Sequence, residues 1–154
     1  MVIVLDNLRS LYNVGSIFRT ADAAGVKRIY LCGVTPEPTD RFGTVRSQFS
    51  KVALGAEKNI MWKKISTSLH CVRQLKKEGF IIWAVEQSRN SKPYYCFRKK
   101  VKAKTVLVFG NEVEGVSSPI LKEADSILEI PMHGKKESLN VAVAAGIVLF
   151  GLRY

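Results

Sequence analysis

The chain of 154 residues has little histidine and cysteine, which argues against a metalloprotein or a disulfide-stapled secreted domain. The two histidines and three cysteines show no metal-ligand spacing, so we expect no metal site. Cys32, Cys71 and Cys96 are odd in number and far apart, and we interpret them as reduced thiols in a cytoplasmic protein. We expect His70 on the surface of a helix and His133 in a loop.

Long apolar runs and leader-like sequences are also missing. The longest apolar run, residues 141–152, contains two glycines and is shorter than the roughly 20 residues that cross a bilayer. The start, MVIVLDNLRS, lacks the basic residues and small-residue cleavage site of a signal peptide. Neither GxGxxG nor a P-loop occurs, which argues against a standard dinucleotide or NTP site. We expect a single globular domain over residues 1–154, without a membrane partner.

Acidic residues are scarce relative to basic ones. Thirteen Asp and Glu face 24 Lys and Arg, which gives a formal charge of +11. This balance favours a polyanionic partner, and nucleic acid before membrane because no basic amphipathic helix is evident. The alternative is a protein that is merely basic.

The hydrophobic pattern predicts an α/β domain with a parallel sheet. Apolar segments predict strands over residues 2–5, 28–32, 80–85, 105–109 and 127–130. Predicted helices run from an Asn13 cap to about Ala24, from Ile65 to Lys77, and from Ser118-Pro119. Residues 33–55 are predicted to be a long loop with at most a short helix, and such loops are usually functional or mobile.

The last predicted helix has apolar residues around nearly its whole circumference. It follows Ser138, a good N-cap, and must therefore be buried on more than one side, with a sheet and a second subunit as candidates. Asn140 interrupts this surface and needs hydrogen-bond partners if buried. Backbone N–H groups, Ser138 and Asn140 converge in the preceding loop, which is a candidate ligand site.

Residues 89–104 form the most basic segment and contain no acid. Tyr94, Tyr95 and Phe97 are interleaved with its cations. Charge combined with aromatic faces is typical of single-stranded nucleic acid grooves. The alternative is a solvated linker whose aromatic side chains pack into the core.

Polar residues follow three of the predicted strands. These are Glu86-Gln87, residues 110–112 and residues 131–138. In parallel α/β sheets, ligands bind beyond the carboxyl ends of the strands. These three loops are therefore expected to share one site.

Three segments together resemble the SpoU (TrmH-like) branch of the SPOUT RNA methyltransferases. They are NVGSIFRTADAAGV (residues 13–26), VFGNEVEGVS (residues 108–117) and IPMHGKKESLNVAVAAG (residues 130–146). Their order and spacing match the three motifs of that family. The resemblance covers almost the whole chain; longer relatives carry an extra N-terminal domain, which we expect this protein to lack.

The resemblance implies an α/β domain with a C-terminal trefoil knot, although knots are rare. It also implies a homodimer that binds S-adenosylmethionine in a bent shape, largely through backbone contacts, and methylates a ribose 2′-hydroxyl of tRNA or rRNA. The cofactor-binding positions carried over are Val85, Leu107, Gly110, Asn111, Glu112, Ile130, Met132, Ser138, Leu139 and Asn140.

The resemblance places the family's catalytic arginine at Arg19, and the catalytic set carried over is Asn13, Arg19, Glu112, Ser138 and Asn140. Relatives are described as using this arginine to activate the hydroxyl, but a guanidinium rarely loses its proton. Holding a phosphate and stabilising a developing alkoxide is the easier role. Glu112 is expected to orient Arg19 or a neighbouring loop.

Structural roles stay open for these residues. Arg19 can form a salt bridge with Asp22 or Glu112, Ser138 can be only an N-cap, and Asn140 can be only a satisfied polar group. The cations assigned to RNA binding are Arg9, Arg19, Arg41, Arg46, Lys99 and Lys100.

The resulting hypothesis is an S-adenosylmethionine-dependent RNA ribose 2′-O-methyltransferase. A non-catalytic RNA-binding protein on the same knotted fold and a base methyltransferase are the alternatives. The residues do not indicate which RNA or which nucleotide is modified.

Overall fold

The structure, a computed structural model, describes residues 1–153 and contains one seven-stranded sheet. The strands are β1 (Val2–Asp6), β2 (Arg28–Cys32), β3 (Met61–Ile65), β4 (Ile81–Val85), β5 (Lys92–Pro93), β6 (Thr105–Phe109) and β7 (Ser126–Glu129). They lie in the order β3-β2-β1-β6-β4-β7-β5, and all pairings are parallel. The five predicted strands and their parallel arrangement are confirmed.

Helices cover both faces of the sheet, as parallel sheets require. They are α1 (Leu11–Ala23), α2 (Ser47–Ala53), α3 (Ala56–Asn59), α4 (Ser68–Lys77), α5 (Ser118–Glu123) and α6 (Val141–Gly151), with a 3₁₀ helix over Tyr94–Lys100. Alternate residues of β1 face opposite sides: Ile3 and Leu5 pack with α1 and α6, whereas Val2 and Val4 pack with α4 and α5. The sheet therefore separates two apolar cores.

The prediction of a helix beginning at Ile65 is wrong. Residues 61–65 form β3, the edge strand beside β2, and α4 begins only at Ser68. The Thr67 hydroxyl accepts a hydrogen bond from the His70 N–H at 3.3 Å and so caps α4. Lysines suit an edge strand because they discourage pairing with another chain. The same lysines interrupt the apolar pattern, so the hydrophobic pattern does not predict this strand.

Three predicted helix caps are displaced by one to three residues. Ser10, rather than Asn13, caps α1, and Ser117, rather than Ser118, precedes α5. Asn140, rather than Ser138, caps α6, with its side-chain oxygen accepting from the Ala142 N–H at 2.8 Å. In each case an eligible polar residue lies nearby, and the tertiary position of the loop selects between them.

The predicted loop after β2 contains the short helix α2, as expected, but α3 was not predicted. Gly15 of α1 allows a close approach of α2, since a Cβ there would lie 3.3 Å from the Val52 Cβ. At the other end of the chain, Gly151 of α6 lies against the Tyr94 ring, where a Cβ would come within 2.3 Å of a ring carbon. Both glycines bring helices close to their neighbours.

The three cysteines are free thiols, and Cys32 and Cys71 are buried. A hydrogen bond with Cys32 and burial raise the pKa of the Cys71 thiol. Within residues 1–153, no helix is long and apolar enough to span a bilayer. The same residues contain no group of three or more potential metal ligands.

Candidate active site at the carboxyl edge of the sheet

A cavity of about 490 Å³ opens where β4, β6 and β7 end. Its volume lies in the range that proteins use for cofactors and substrates. The loops that follow these strands form its walls, together with the first turn of α6. Because the strands are parallel, their carboxyl ends bring three distant parts of the sequence to one place.

Nine of the ten predicted cofactor positions line this cavity: Val85, Gly110, Asn111, Glu112, Ile130, Met132, Ser138, Leu139 and Asn140. Leu107 does not line it, because the side chain lies inside β6 and is fully buried in the core. A strand residue two positions before the carboxyl end is too deep in the sheet to reach the loop surface.

Glu86, Gln87 and Glu129 also line the cavity, although none is among the ten cofactor positions carried over. Glu86 and Gln87 belong to a loop that was expected to share the site, whereas Glu129 lies outside the three loops that were expected to form it. Glu86 Oε2 accepts the Val116 N–H at 2.8 Å, and the Gln87 amide donates to the Glu137 carbonyl at 2.6 Å. These bonds connect the loop after β4 to both other loops. The signal that could have found Glu129 is its place as the last residue of β7, at the carboxyl edge of the sheet.

The cavity wall is acidic although the protein is strongly basic. Glu86, Glu112 and Glu129 line it, whereas no lysine or arginine appears among its described lining residues. Carboxylates favour a cationic ligand and disfavour phosphates. The remaining wall is largely apolar, with Ile130, Met132 and other side chains of the last loop and α6.

The loop after β6 is held in a tight turn that only glycine permits at residue 110. Asn111 and Gly115 exchange two backbone hydrogen bonds of 3.0 and 2.9 Å. A Cβ on Gly110 would lie 2.1 Å from backbone atoms of Gly115 and Val116. Gly115 has φ of 69°, the left-handed region that favours glycine.

Asn111 closes the same loop from inside. Its side-chain oxygen accepts from the Val113 N–H at 2.8 Å, and its amide donates to the Asn7 carbonyl at 2.7 Å. Asn111 is buried. Its side-chain oxygen and nitrogen both have partners within the protein, so Asn111 fixes the shape of the cavity wall.

Glu112 connects the first resemblance segment to the second. Its carboxylate accepts hydrogen bonds from the backbone N–H of Arg9 (3.0 Å) and of Ser10 (3.1 Å), and from the Asn13 amide (3.0 Å). Glu112 thus fixes the loop before α1, which is the second of the two roles expected for it.

Asn140 connects the third segment to the first. Its amide donates to the Asn13 side-chain oxygen at 3.1 Å, while its own oxygen caps α6. Asn13 can serve both neighbours because an amide carries a donor and an acceptor. The bonds Glu112–Asn13–Asn140 therefore run between α1 and α6 along the edge of the cavity.

Two opposing effects set the pKa of Glu112. Partial burial raises the pKa. The hydrogen bonds from Asn13 and from the Arg9 and Ser10 backbone lower it by more than burial raises it, so the pKa lies below its ordinary value of 4.5. Glu112 is consequently ionised at neutral pH, as its acceptor role requires.

Arg19 does not line the cavity of its own chain. It lies six residues after Asn13, about 9 Å further along the helix, and its side chain is exposed. The alternative of a salt bridge with Asp22 or Glu112 is wrong, because the ion pairs among residues 1–153 join Arg73 and Lys76 to Glu123 and Asp125 and do not include Arg19. Within residues 1–153 the Arg19 guanidinium forms no ion pair, so its charge is available.

The other cations assigned to RNA are exposed but occupy different places. Arg9 precedes α1, Arg41 and Arg46 lie between β2 and α2, and Lys99 and Lys100 lie in the 3₁₀ helix. The aromatic residues of the basic segment divide between its two interpretations. Phe97 is buried against Trp83 with ring centroids 5.1 Å apart, whereas Tyr95 is 50% exposed.

His70 lies on the surface of α4 and His133 in the exposed loop before α6. Ser138 lines the cavity but does not cap α6, so the interpretation of Ser138 as only an N-cap is wrong.

Known proteins match this chain along nearly its full length. The SpoU rRNA Methylase family model matches residues 1–150. The 23S rRNA (guanosine-2′-O-)-methyltransferase RlmB of Neisseria meningitidis is 32% identical over 149 residues, covering 97% of this chain and 56% of that protein. The chain thus spans little more than half the length of such curated relatives.

Two of the matching solved structures are each 32% identical in sequence to this chain. One is a TrmH/SpoU tRNA modifying enzyme of A. aeolicus, with a TM-score of 0.82, covering 98% of this chain and 72% of that one. The other is an AdoMet-bound rRNA methyltransferase of Sinorhizobium meliloti, with a TM-score of 0.81, covering 99% and 55%. The three segments identified in the sequence and the fold agree with these matches, and the chain belongs to the SpoU rRNA Methylase family.

Proposed function

We propose that this protein transfers a methyl group from S-adenosylmethionine to a ribose 2′-hydroxyl of rRNA or tRNA. The observation that carries the proposal is an acidic and apolar cavity in a chain of charge +11. Residues of the second and third resemblance segments line it, and Asn13 of the first segment is hydrogen-bonded to Glu112 and Asn140 in its wall. The cavity fits a cationic cofactor, and the basic exterior fits a polyanionic substrate. Family membership and the relatives that methylate 23S rRNA support the same assignment.

The described residues fit S-adenosylmethionine in charge. Glu86, Glu112 and Glu129 carry negative charge around a site that would receive a sulfonium and an ammonium group. A nucleotide that carries phosphates would be repelled by the same carboxylates. The cofactor supplies a methyl group that is already activated on sulfur, so the protein has mainly to bind and orient.

The last loop also fits the adenosine part. Ile130, Met132 and Leu139 supply apolar contact area. Within residues 1–153, the backbone N–H groups of residues 132–139 donate no hydrogen bond inside the protein. Such N–H groups can donate to the adenine base, and the resemblance implies that backbone contacts bind the cofactor.

Arg19 is proposed to grip the phosphate beside the target ribose and to stabilise negative charge on the 2′-oxygen as its proton leaves. A guanidinium is suited to both tasks because it stays charged and presents several donors in one plane. The relay from Glu112 through Asn13 holds α1, and thereby Arg19, in a fixed position relative to the cavity.

A second copy of the chain is proposed to complete the site. Tyr12 and Arg19 lie on the same side of α1, seven residues apart, and Tyr12 is 54% exposed. Val143 on the neighbouring α6 and Leu139 just before it are 51% and 41% exposed. A homodimer through this face would cover apolar surface and bring the partner subunit's Arg19 towards the cavity.

We also propose that the C-terminal segment forms a trefoil knot and that the protein works in the cytoplasm. The strand order, in which β4 lies between β6 and β7, and the resemblance to knotted enzymes support the knot. Tracing the backbone of an experimental structure from both ends would test it.

The experiment is methyl transfer from labelled S-adenosylmethionine to rRNA and tRNA, followed by digestion to nucleosides. A 2′-O-methyl nucleoside is expected, and the guanosines of 23S rRNA are the first candidates because of the curated relatives. Label on a base would instead indicate a base methyltransferase. RNA binding without any product would favour the non-catalytic alternative.

Arg19→Ala is expected to abolish the product while the affinity for S-adenosylmethionine stays within about twofold. Arg19→Lys keeps the charge without the planar donors and should retain only a small part of the activity. If cofactor affinity collapsed in Arg19→Ala, the proposed role of Arg19 would be wrong.

A further inference from the structure

An exposed aromatic residue lies at the tip of the loop between β2 and α2. Phe42 is 76% exposed, and the Arg41 guanidinium lies over its ring, 4.7 Å from the centroid. An exposed aromatic face beside a cation is the combination that binds unpaired nucleic acid, because the ring can stack on a base while the cation attracts the phosphates.

The tip that carries these residues is ordered by its own hydrogen bonds. The Asp40 carboxylate accepts from the Phe42 N–H at 2.8 Å and the Thr44 N–H at 3.0 Å. Asp40 also donates its N–H to the Thr44 carbonyl at 2.8 Å, and Gly43 has φ of 80° within the turn. Arg46 closes the base of the tip by donating from Nε to the Thr39 carbonyl at 3.1 Å.

The loop is also tied to the catalytic edge of the sheet. Because β2 is parallel to the strands that end at the cavity, the loop leaves from the same edge. Thr35 at its start accepts the Leu8 N–H at 3.1 Å, and Asn7 accepts the Val34 N–H at 3.1 Å. The segment containing Asn7 and Leu8 continues to the backbone N–H groups that Glu112 holds. The tip is thus linked to the cavity through two successive loops.

We propose that Phe42 stacks on an unpaired base of the RNA, while Arg41 contacts an adjacent phosphate. Every base offers a π-face, and aromatic side chains that stack on bases are typical of proteins that bind unpaired RNA. The inference rests on the proposed function and adds to it that the modified nucleotide lies in or beside a single-stranded stretch.

The test uses fluorescence of Phe42→Trp, with the wild type as the background for Trp62 and Trp83. Titration with single-stranded oligoadenylate is expected to quench the new tryptophan, because a stacked base contacts the indole. Heparin, a polyanion without bases, should bind but leave the emission unchanged. Equal quenching by heparin would show attraction by charge alone and would overturn the proposal.

Affinity and catalysis provide the second readout. Phe42→Ala is expected to weaken oligoadenylate binding about tenfold, and Phe42→Tyr to restore it. Val34→Ala, which alters another exposed apolar residue of the same loop, is the matched control and should bind like the wild type. Arg41→Ala should reduce the slope of log K against log salt by about one, as the loss of a single phosphate contact does.

Failure of this inference is distinguishable from failure of the proposed function. Once an RNA that the protein methylates has been identified, Phe42→Ala should raise KM for that RNA about tenfold with kcat nearly unchanged. Stacking stabilises the ground state and the transition state alike. Product formation with an unchanged KM would overturn the stacking role and leave the methyltransferase proposal intact. Quenching of the Phe42→Trp emission by oligoadenylate without any methylated product would support the stacking role and overturn the methyltransferase proposal. A change of sedimentation coefficient in Phe42→Ala would assign Phe42 to a subunit contact and also overturn the stacking role.

Discussion

At the scale of single residues, the cavity depends on positions that tolerate no side chain. Gly110→Ala would place a Cβ 2.1 Å from the Gly115 and Val116 backbone, so the loop after β6 must move. We expect the affinity for S-adenosylmethionine, measured by titration calorimetry, to fall at least tenfold and the free energy of unfolding to decrease. Gly134→Ala is the control, because nothing lies within 4 Å of its Cβ. Normal cofactor binding in Gly110→Ala would show that this loop does not contact the cofactor.

Glu112 contributes to stability in a way that depends on pH. Its pKa in the folded protein is below the ordinary value, so its stabilising contribution is present at neutral pH and is lost as pH falls through the folded pKa. The difference in unfolding free energy between wild type and Glu112→Gln should therefore be constant from pH 5 to pH 8 and shrink below about pH 4.5. Urea unfolding across this range measures it. A difference independent of pH throughout would mean that the charge of Glu112 does not matter.

At the scale of elements, Asn140 at the start of α6 has two roles: it caps the helix and it lines the cavity. Asn140→Ala removes the N-cap and the bond to Asn13, and it should cost about 1 kcal/mol of unfolding free energy from the cap alone. Asn140→Asp keeps a cap oxygen but loses the donor to Asn13, so it should retain most of the stability and lose activity. Ser138→Ala, at the position that does not cap α6, should unfold like the wild type in urea. If it unfolded as easily as Asn140→Ala, the cap would have to be reassigned to Ser138.

The sequence predicts the elements that are apolar or strongly periodic. β1, β2, β4, β6 and β7 were found because buried parallel strands are continuous apolar runs, and α1 because of its single apolar stripe. β3 was missed because Lys63 and Lys64 mark it as polar, and β5 because two residues carry no pattern. The cavity-lining loops could be named from the resemblance, whereas the bonds of Asn13 to Glu112 and Asn140 join residues 99 and 127 positions apart and needed the structure.

At the scale of the whole molecule, charge and apolar surface are separated. Three glutamates line the cavity without a described lysine or arginine beside them, exposed cations such as Arg41 and Lys99 lie elsewhere, and the exposed apolar residues Tyr12 and Val143 lie on neighbouring helices. Under the proposed function, the cofactor, the RNA and a second subunit would use different surfaces. Val143→Glu should therefore dissociate the proposed dimer in sedimentation velocity, while Val34→Glu, which alters another exposed valine, should not.

Complementation between two inactive variants tests whether the subunits share the site. Met132→Arg puts a cation into the cavity wall and should prevent binding of S-adenosylmethionine, whereas Arg19→Ala leaves the cavity intact. If the partner subunit's Arg19 serves each cavity, a mixed dimer contains one cavity with an intact wall and an intact arginine opposite it. Mixing the two variants should then restore up to half of the wild-type activity per mixed dimer, although each variant alone is inactive. If the mixture stayed inactive although the subunits had exchanged, Arg19 would act on the cavity of its own chain. Because Arg19 is exposed and does not line that cavity in this structure, such a role would require a movement of α1.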